Sequence, residues 1–322
     1  MGDEFKSYKS VHAEDELRNL IAKHLGSQAK ILERQNVGEV NAVYFATLQN
    51  QTSCVIRIAP LAKGYNAFEE ESWLFSQCKN AGVPVPHVLA VNAHPMDFPE
   101  GYMITQRIEG ISADSVNLSQ EQKVEILHQV GHYLSLIHSV KIEGFGNYEK
   151  VDGGFKGQHN SLYELLQSET REAWWVKDVA KYQLLSPKEI EEVQNALEKE
   201  KELFTLEKAS ITHGDISFGN TIIQGTKVVG IVDMENSVAA DPIFDFRVFK
   251  YWETEENRKA LMDGYSNKAI FDENFERKLL FYELLYAMKA LVYNNSRGFD
   301  DRTKVGYEKI QSLKKQLEIS TS

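Results

Sequence analysis

Ile211-Thr212-His213-Gly214-Asp215-Ile216-Ser217-Phe218-Gly219-Asn220, with the hairpin that follows it to Asp233, decides how this chain is read. An Asp and an Asn stand five residues apart on a Gly-containing loop. From Asn220 the residues Thr221-Ile222-Ile223 read as a strand, Gln224-Gly225-Thr226 as a turn, and Lys227 to Val232 as the returning strand. A tight hairpin brings its open ends together, so Asn220 and Asp233 are expected near one another, with Asp215 just before them. A lone Asp ahead of a hairpin is commonly only a turn former. The spaced set of two carboxylates and an amide is harder to obtain by accident.

All three side chains are hard oxygen donors, which suits Mg²⁺ held by one or two protein groups plus substrate phosphates. In kinase-type phosphoryl transfer one Asp accepts the proton of the substrate hydroxyl while an Asn and a second Asp hold the metal. The loop resembles the H-x-D-x-x-x-x-N motif of protein kinases, with Gly214 where those have Arg. His213-Gly214-Asp215 followed by Val232-Asp233-Met234-Glu235 and by Asp241-Pro242-Ile243-Phe244-Asp245 resembles the aminoglycoside phosphotransferase (choline kinase-like) family, especially its hygromycin B phosphotransferase-type members. The resemblance implies an α+β, bilobal, protein-kinase-like fold. A nucleotide-binding, antiparallel-sheet N-lobe is expected over about 1–109, with a hinge at about 105–110. A mainly helical C-lobe over 110–322 would carry the catalytic loop, the metal site and the acceptor site.

The bulk composition bounds the function. The chain has 322 residues, 42% hydrophobic and 26% charged, enough for one or two substantial cores. A formal net charge of −11 disfavours a nucleic-acid partner and suits a cationic small molecule. Two cysteines, Cys54 and Cys78, without CxxC spacing point to a reducing cytoplasm. The polar start reads as no signal peptide, and no apolar run reaches membrane-spanning length. A monomer is expected.

Residues 14–26 read as a helix with Leu17, Leu20, Ile21 and Leu25 on one face and Gly26 as its stop. Cys54-Val55-Ile56-Arg57-Ile58 alternates as a half-buried strand, placing Arg57 opposite Ile56 and Ile58. Phe68 to Cys78 reads as a helix ended by Gly82 and Pro84, and Gly101 to Gly110 as an apolar strand turning polar. Ser119 and Ser186 open capping-box helices. Gly144-Phe145-Gly146-Asn147 and Gly153-Gly154-Phe155 read as loop, and 273–296 and the tail from Asp300 as helices.

What the resemblance adds is a set of roles. Gly38 falls where a loop covers the nucleotide phosphates. Arg57 stands in the place of the kinase Lys on the α/β-phosphates, where Arg clamps phosphate but is not equivalent to Lys. Glu71, within Glu69-Glu70-Glu71, is its orienting acid, and backbone near Gln106 and Ile108 meets the purine. Asp215 is the catalytic base, Asn220 and Asp233 hold Mg²⁺, and His213, Asp241 and Asp245 support the loops. Glu235, Glu253, Glu255 and Glu256 are acceptor-binding candidates for ammonium groups. The implied reaction is transfer of the γ-phosphate of ATP or GTP to a hydroxyl of an aminoglycoside-like acceptor. Choline, a macrolide, a sugar or another metabolite alcohol are the alternatives within the fold, and a nucleotide-binding regulator without turnover is the alternative outside it.

Overall fold

The computed structural model describes residues 12–35, 41–60, 68–91, 98 and 100–319. The chain forms two compact units, 1–115 with 221–234, and 116–220 with 235–322. The first unit is therefore not the continuous stretch to about 109 expected above. It takes up the hairpin because Ile222 and Ile223 pair with Ser112 and Ile111. The N–H of Ile231 also donates to the Pro84 carbonyl at 2.7 Å.

In the first unit, α1 (Glu14–Leu25) buries Leu17, Leu20 and Ile21 and ends at Gly26, whose φ of 65° suits glycine. Five antiparallel strands follow: β1 (Ala29–Gln35), β2 (Ala42–Leu48), β3 (Ser53–Ile58), β4 (Val88–Val91) and β5 (Tyr102–Gln106), in the order β1-β2-β3-β5-β4. Burial alternates strictly along β2 and β3, so Ala46, Cys54, Ile56 and Ile58 join Leu17 and Ile21 in one core. Arg57 points to the other face of β3, as its place in the alternation requires. Helix α2 (Glu69–Asn80) connects β3 to β4. The hairpin strands, Thr221–Gln224 and Lys227–Ile231, pair antiparallel with Thr221 opposite Ile231. The strand thus begins one residue after Asn220.

The second unit is mainly helical. Helix α3 (Gln120–Ser139) opens with the expected capping box: Ser119 accepts from the Gln122 N–H, and Gln122 accepts from the Ser119 N–H. Then come α4 (Leu162–Arg171), α5 (Trp174–Lys181), α6 (Pro187–Lys199), α7 (Phe246–Trp252), α8 (Glu255–Gly264), α9 (Phe275–Ser296) and α10 (Asp300–Gln316). The segment read as loop around Gly144 and Gly154 is instead a hairpin, Phe145–Val151 against Gly154–His159. Its glycines hid the strand pattern because they serve close backbone approach: a Cβ on Gly157 would lie 2.2 Å from the Phe145 nitrogen. Helices α3 and α8 touch through glycines. A Cβ on Gly131 would meet the Leu261 carbonyl oxygen at 2.1 Å, and one on Gly264 the His128 oxygen at 2.0 Å. Helix α9 buries Leu279, Phe281, Leu284, Met288 and Leu291. Among the described residues no helix is long and apolar enough to cross a membrane.

Candidate active site

In the first unit the expected cation and acid meet. Arg57 Nη1 donates to both carboxylate oxygens of Glu71, at 2.6 and 2.7 Å, and Nη2 donates to Asp233 Oδ1 at 3.0 Å. The guanidinium also lies 5.2 Å from the Phe68 ring centre. Glu71 is only 3% exposed, so the third acid of the Glu69-Glu70-Glu71 run turns inward although such runs usually form a solvated face. Its burial is compensated by Arg57 and by the Met234 N–H, which donates to Oε1 at 3.1 Å. Its neighbour Glu70 is pushed up to about 7, by burial first and then by the charge of Glu71. Asp233 adopts φ 67°, a left-handed backbone uncommon outside glycine.

The nucleotide-side expectations fare unevenly. Gly38 lies outside the described residues. The N–H groups of Gln106 and Arg107 donate to the carbonyls of His87 and Ser53 at 2.8 and 3.1 Å. Among the described residues, the N–H of Ile108, the other expected purine-side position, is not spent in this way. Gln106 is exposed and Ile108 half-buried.

In the second unit the His213–Asp215 loop is pinned from below by Asp245, which is fully buried. Its carboxylate accepts the N–H groups of His213 and Gly214, each at 2.7 Å, and faces His138 Nε2 at 2.9 Å. Burial alone would raise the Asp245 carboxyl, but the hydrogen bond and charge of His138, aided by His213, hold it below its ordinary value. The other ring nitrogen of His138 meets the Tyr265 hydroxyl at 2.9 Å. Thr212 and Val238 exchange a pair of hydrogen bonds, and Ser237 Oγ donates to the Thr212 carbonyl. Gly214 explains the departure from the kinase Arg. Its φ is 84°, and a Cβ there would sit 1.8 Å from the Asn236 carbonyl oxygen. No side chain fits.

Held this way, Asp215 is partly exposed, and Asn220 Nδ2 donates to its carbonyl at 2.8 Å and to Oδ2 at 3.2 Å. The amide thus spends its donor side on Asp215 and keeps its oxygen as an acceptor. That is the end a hard cation needs. Among the described residues no three His, Cys, Asp or Glu side chains cluster as a metal cage. Asn220 Oδ1 is a hard oxygen donor of the kind Mg²⁺ accepts alongside phosphate and water. Asp241 caps the turn before α7 by accepting the Ile243 N–H, and it also receives Lys278 and the Tyr282 hydroxyl.

The acceptor candidates separate. Glu253 lines a cleft of about 180 Å³ with Asp215, Ile216, Ser217, Val248, Phe249 and Trp252. Glu255 is forked by Arg258, while Glu256 and Glu235 are exposed. The cleft residues of α7 escaped the sequence reading. Phe246 to Trp252 is an aromatic-rich run that looks like core until its helix is placed beside the loop.

The model of the phosphotransferase enzyme family (APH) matches residues 31–279. Among solved structures, aminoglycoside phosphotransferase APH(4)-Ia is similar with a TM-score of 0.70 and 13% identity, over 96% of this chain and 100% of that one. A thermostable mutant of that enzyme, in a ternary complex with ADP and hygromycin B, gives 0.70 and 13%, over 95% and 99%. APH(2")-IIa, in a ternary complex with streptomycin and ATP, gives 0.62 and 17%, over 94% and 99%. At such identities the likeness is one of fold. No curated protein matches the chain in sequence. With a family match over most of its length and a protein-kinase-like fold beneath it, the chain belongs to the phosphotransferase enzyme family and is a small-molecule O-phosphotransferase.

Proposed function

We propose that the protein transfers the γ-phosphate of ATP or GTP to a hydroxyl of a small acceptor, with aminoglycoside-like compounds the first class to assay. The observation that carries this reading is the Arg57 fork, which ties the β3 cation to Glu71 and to Asp233. A guanidinium oriented in this way is prepared for the α/β-phosphates. Ile108 offers the hinge N–H to the purine. Asn220 and Asp233 are the oxygen donors for Mg²⁺, which when bound supplies neutralising charge to the β- and γ-phosphates. Asp215 takes the proton of the acceptor hydroxyl as its oxygen bonds to the γ-phosphorus. The bond from that phosphorus to the β-γ bridging oxygen breaks, and the nucleoside diphosphate leaves. No phosphoenzyme is needed.

We place the protein in the cytoplasm as a monomer. The thiols Cys54 and Cys78 are buried and unbridged, and burial pushes them up to about 11 and 12, which suits a reducing compartment.

The test is nucleoside diphosphate release with Mg²⁺ and ATP or GTP across aminoglycosides including hygromycin B, choline and neutral sugars. Acceptor-dependent release is expected for the wild type. Asp215→Asn should lose about 10³-fold or more in kcat while binding nucleotide normally. Full turnover by that variant removes Asp215 from its role, and nucleotide binding without turnover on any acceptor favours a regulator.

A further inference from the structure

We propose that the acceptor carries an anionic group, a carboxylate or a phosphate ester, and that Arg247 and Lys289 bind it while Asp215 faces the reacting hydroxyl. The proposal rests on the phosphotransfer reading above and narrows the acceptor to small hydroxylated anions.

Arg247 is the strongest sign. It is only 8% exposed, and its Nη1 is buried without a hydrogen-bond partner. Among the described residues it forms no ion pair. Asp245, two residues away, has its carboxylate committed to His138, His213 and Gly214. Burial lowers Arg247 only to about 10, so it remains a cation at neutral pH. A charge kept out of water normally has a partner, and an unsatisfied buried donor calls for one.

The surroundings connect it to the cleft. Arg247 stands next to Val248 on α7, and Val248, Phe249 and Trp252 of that helix line the cleft with Asp215. Its guanidinium lies 3.2 Å from the Phe244 ring centre and 5.7 Å from that of Tyr286. Trp252 Nε1 in turn donates to the Tyr286 hydroxyl at 2.9 Å. Both Arg247 and Lys289 feel the charge of Asp215, and Lys289 that of Arg247, so they share the neighbourhood of the reacting group. Lys289 follows Tyr286 by one helical step on α9 and makes no hydrogen bond or ion pair among the described residues. Glu169 is a further acid acting on both cations.

Two of the four acids expected to receive a polycation already accept hydrogen bonds from neighbouring side chains. Arg258 holds Glu255 and also bonds Glu276, and Glu253 accepts from Asn257 Nδ2. A cleft of about 180 Å³, lined by Asp215 and Glu253 and by Val248 next to Arg247, suits a small metabolite better than a large polyamine.

The experiment compares matched acceptors in diphosphate release: hydroxy acids against their amides, sugar phosphates against free sugars, and an aminoglycoside panel. Binding of inorganic phosphate and of a simple hydroxy acid is measured by calorimetry in parallel, with the nucleotide site filled by a non-hydrolysable ATP analogue. Wild type should prefer the anionic member of a pair at least tenfold in kcat/KM, mostly through KM, and the preferred pair tells carboxylate from phosphate. Arg247→Met, which keeps the volume of the side chain, should lower that preference and the anion affinity at least tenfold. Arg247→Lys should restore part of both. Equal use of charged and neutral members, or stronger use of aminoglycosides, overturns the anion site while leaving the phosphotransferase reading intact. Anion binding that depends on Arg247 without turnover on any acceptor supports the site and overturns the transfer reading instead.

Discussion

Glu70 and Glu71 show how one residue's place on a helix separates two identical side chains. Glu71 faces Arg57 and the Met234 N–H, whereas Glu70 sits half-buried beside a charge of its own sign. Its folded-state pKa of about 7 lies above its ordinary 4.5, so between these values the folded chain holds more protons than the unfolded one. The stabilising contribution is therefore complete below about 4.5 and is lost as pH rises through about 7. Glu70→Gln should flatten the fall of Tm across that window, as followed by thermal unfolding in a pH series. An unchanged slope would place the titration elsewhere.

Among the elements, the crossing of α3 and α8 depends on two glycines whose hydrogens lie against the opposite backbone. Gly131 and Gly264 leave about 2 Å between an added Cβ and the facing carbonyl oxygen, a clash with backbone rather than with a movable side chain. Gly131→Val should thus destabilise by about 3 kcal/mol or more, toward the upper end of overpacking costs. Urea unfolding would measure this, and a loss under about 1 kcal/mol would mean the helices slide apart freely. The consequence reaches the candidate site, since α3 carries His138 and His138 holds Asp245 under the His213–Asp215 loop. The capping boxes at Ser119 and Ser186 were plain in the sequence because each is a local exchange between residues three apart. The helix crossing was not, because a glycine inside a helix does not say what it approaches.

For the whole molecule, a net charge of −11 sets a field that the acceptor must cross. With nucleotide saturating, raising salt from about 0.01 to about 0.15 M shrinks the Debye length from about 30 to about 8 Å. An anionic acceptor should then gain in kcat/KM, and a cationic one should lose. Steady-state rates across that salt range would show it, and identical trends for both would leave steering out of the mechanism. Acidic composition suggested a cationic acceptor, yet Arg247 and Lys289 are cations that feel the charge of Asp215. Net charge averages over a surface, while recognition depends on the few side chains that a fold turns inward.

By itself the sequence determined the reaction class and most of the secondary structure. The spacing of His213, Asp215, Asn220 and Asp233 is a local pattern, and the alternation along β3 or the caps at Ser119 and Ser186 are set by neighbours in the chain. The resemblance already names Glu71 among three consecutive acids as the partner of Arg57; only the tertiary structure decided why Gly214 admits no side chain. It also returned the 221–234 hairpin to the first unit and left Arg247 Nη1 buried without a hydrogen-bond partner. Each of these depends on groups distant in sequence competing for the same space, hydrogen bonds or charge, and no local period records that competition.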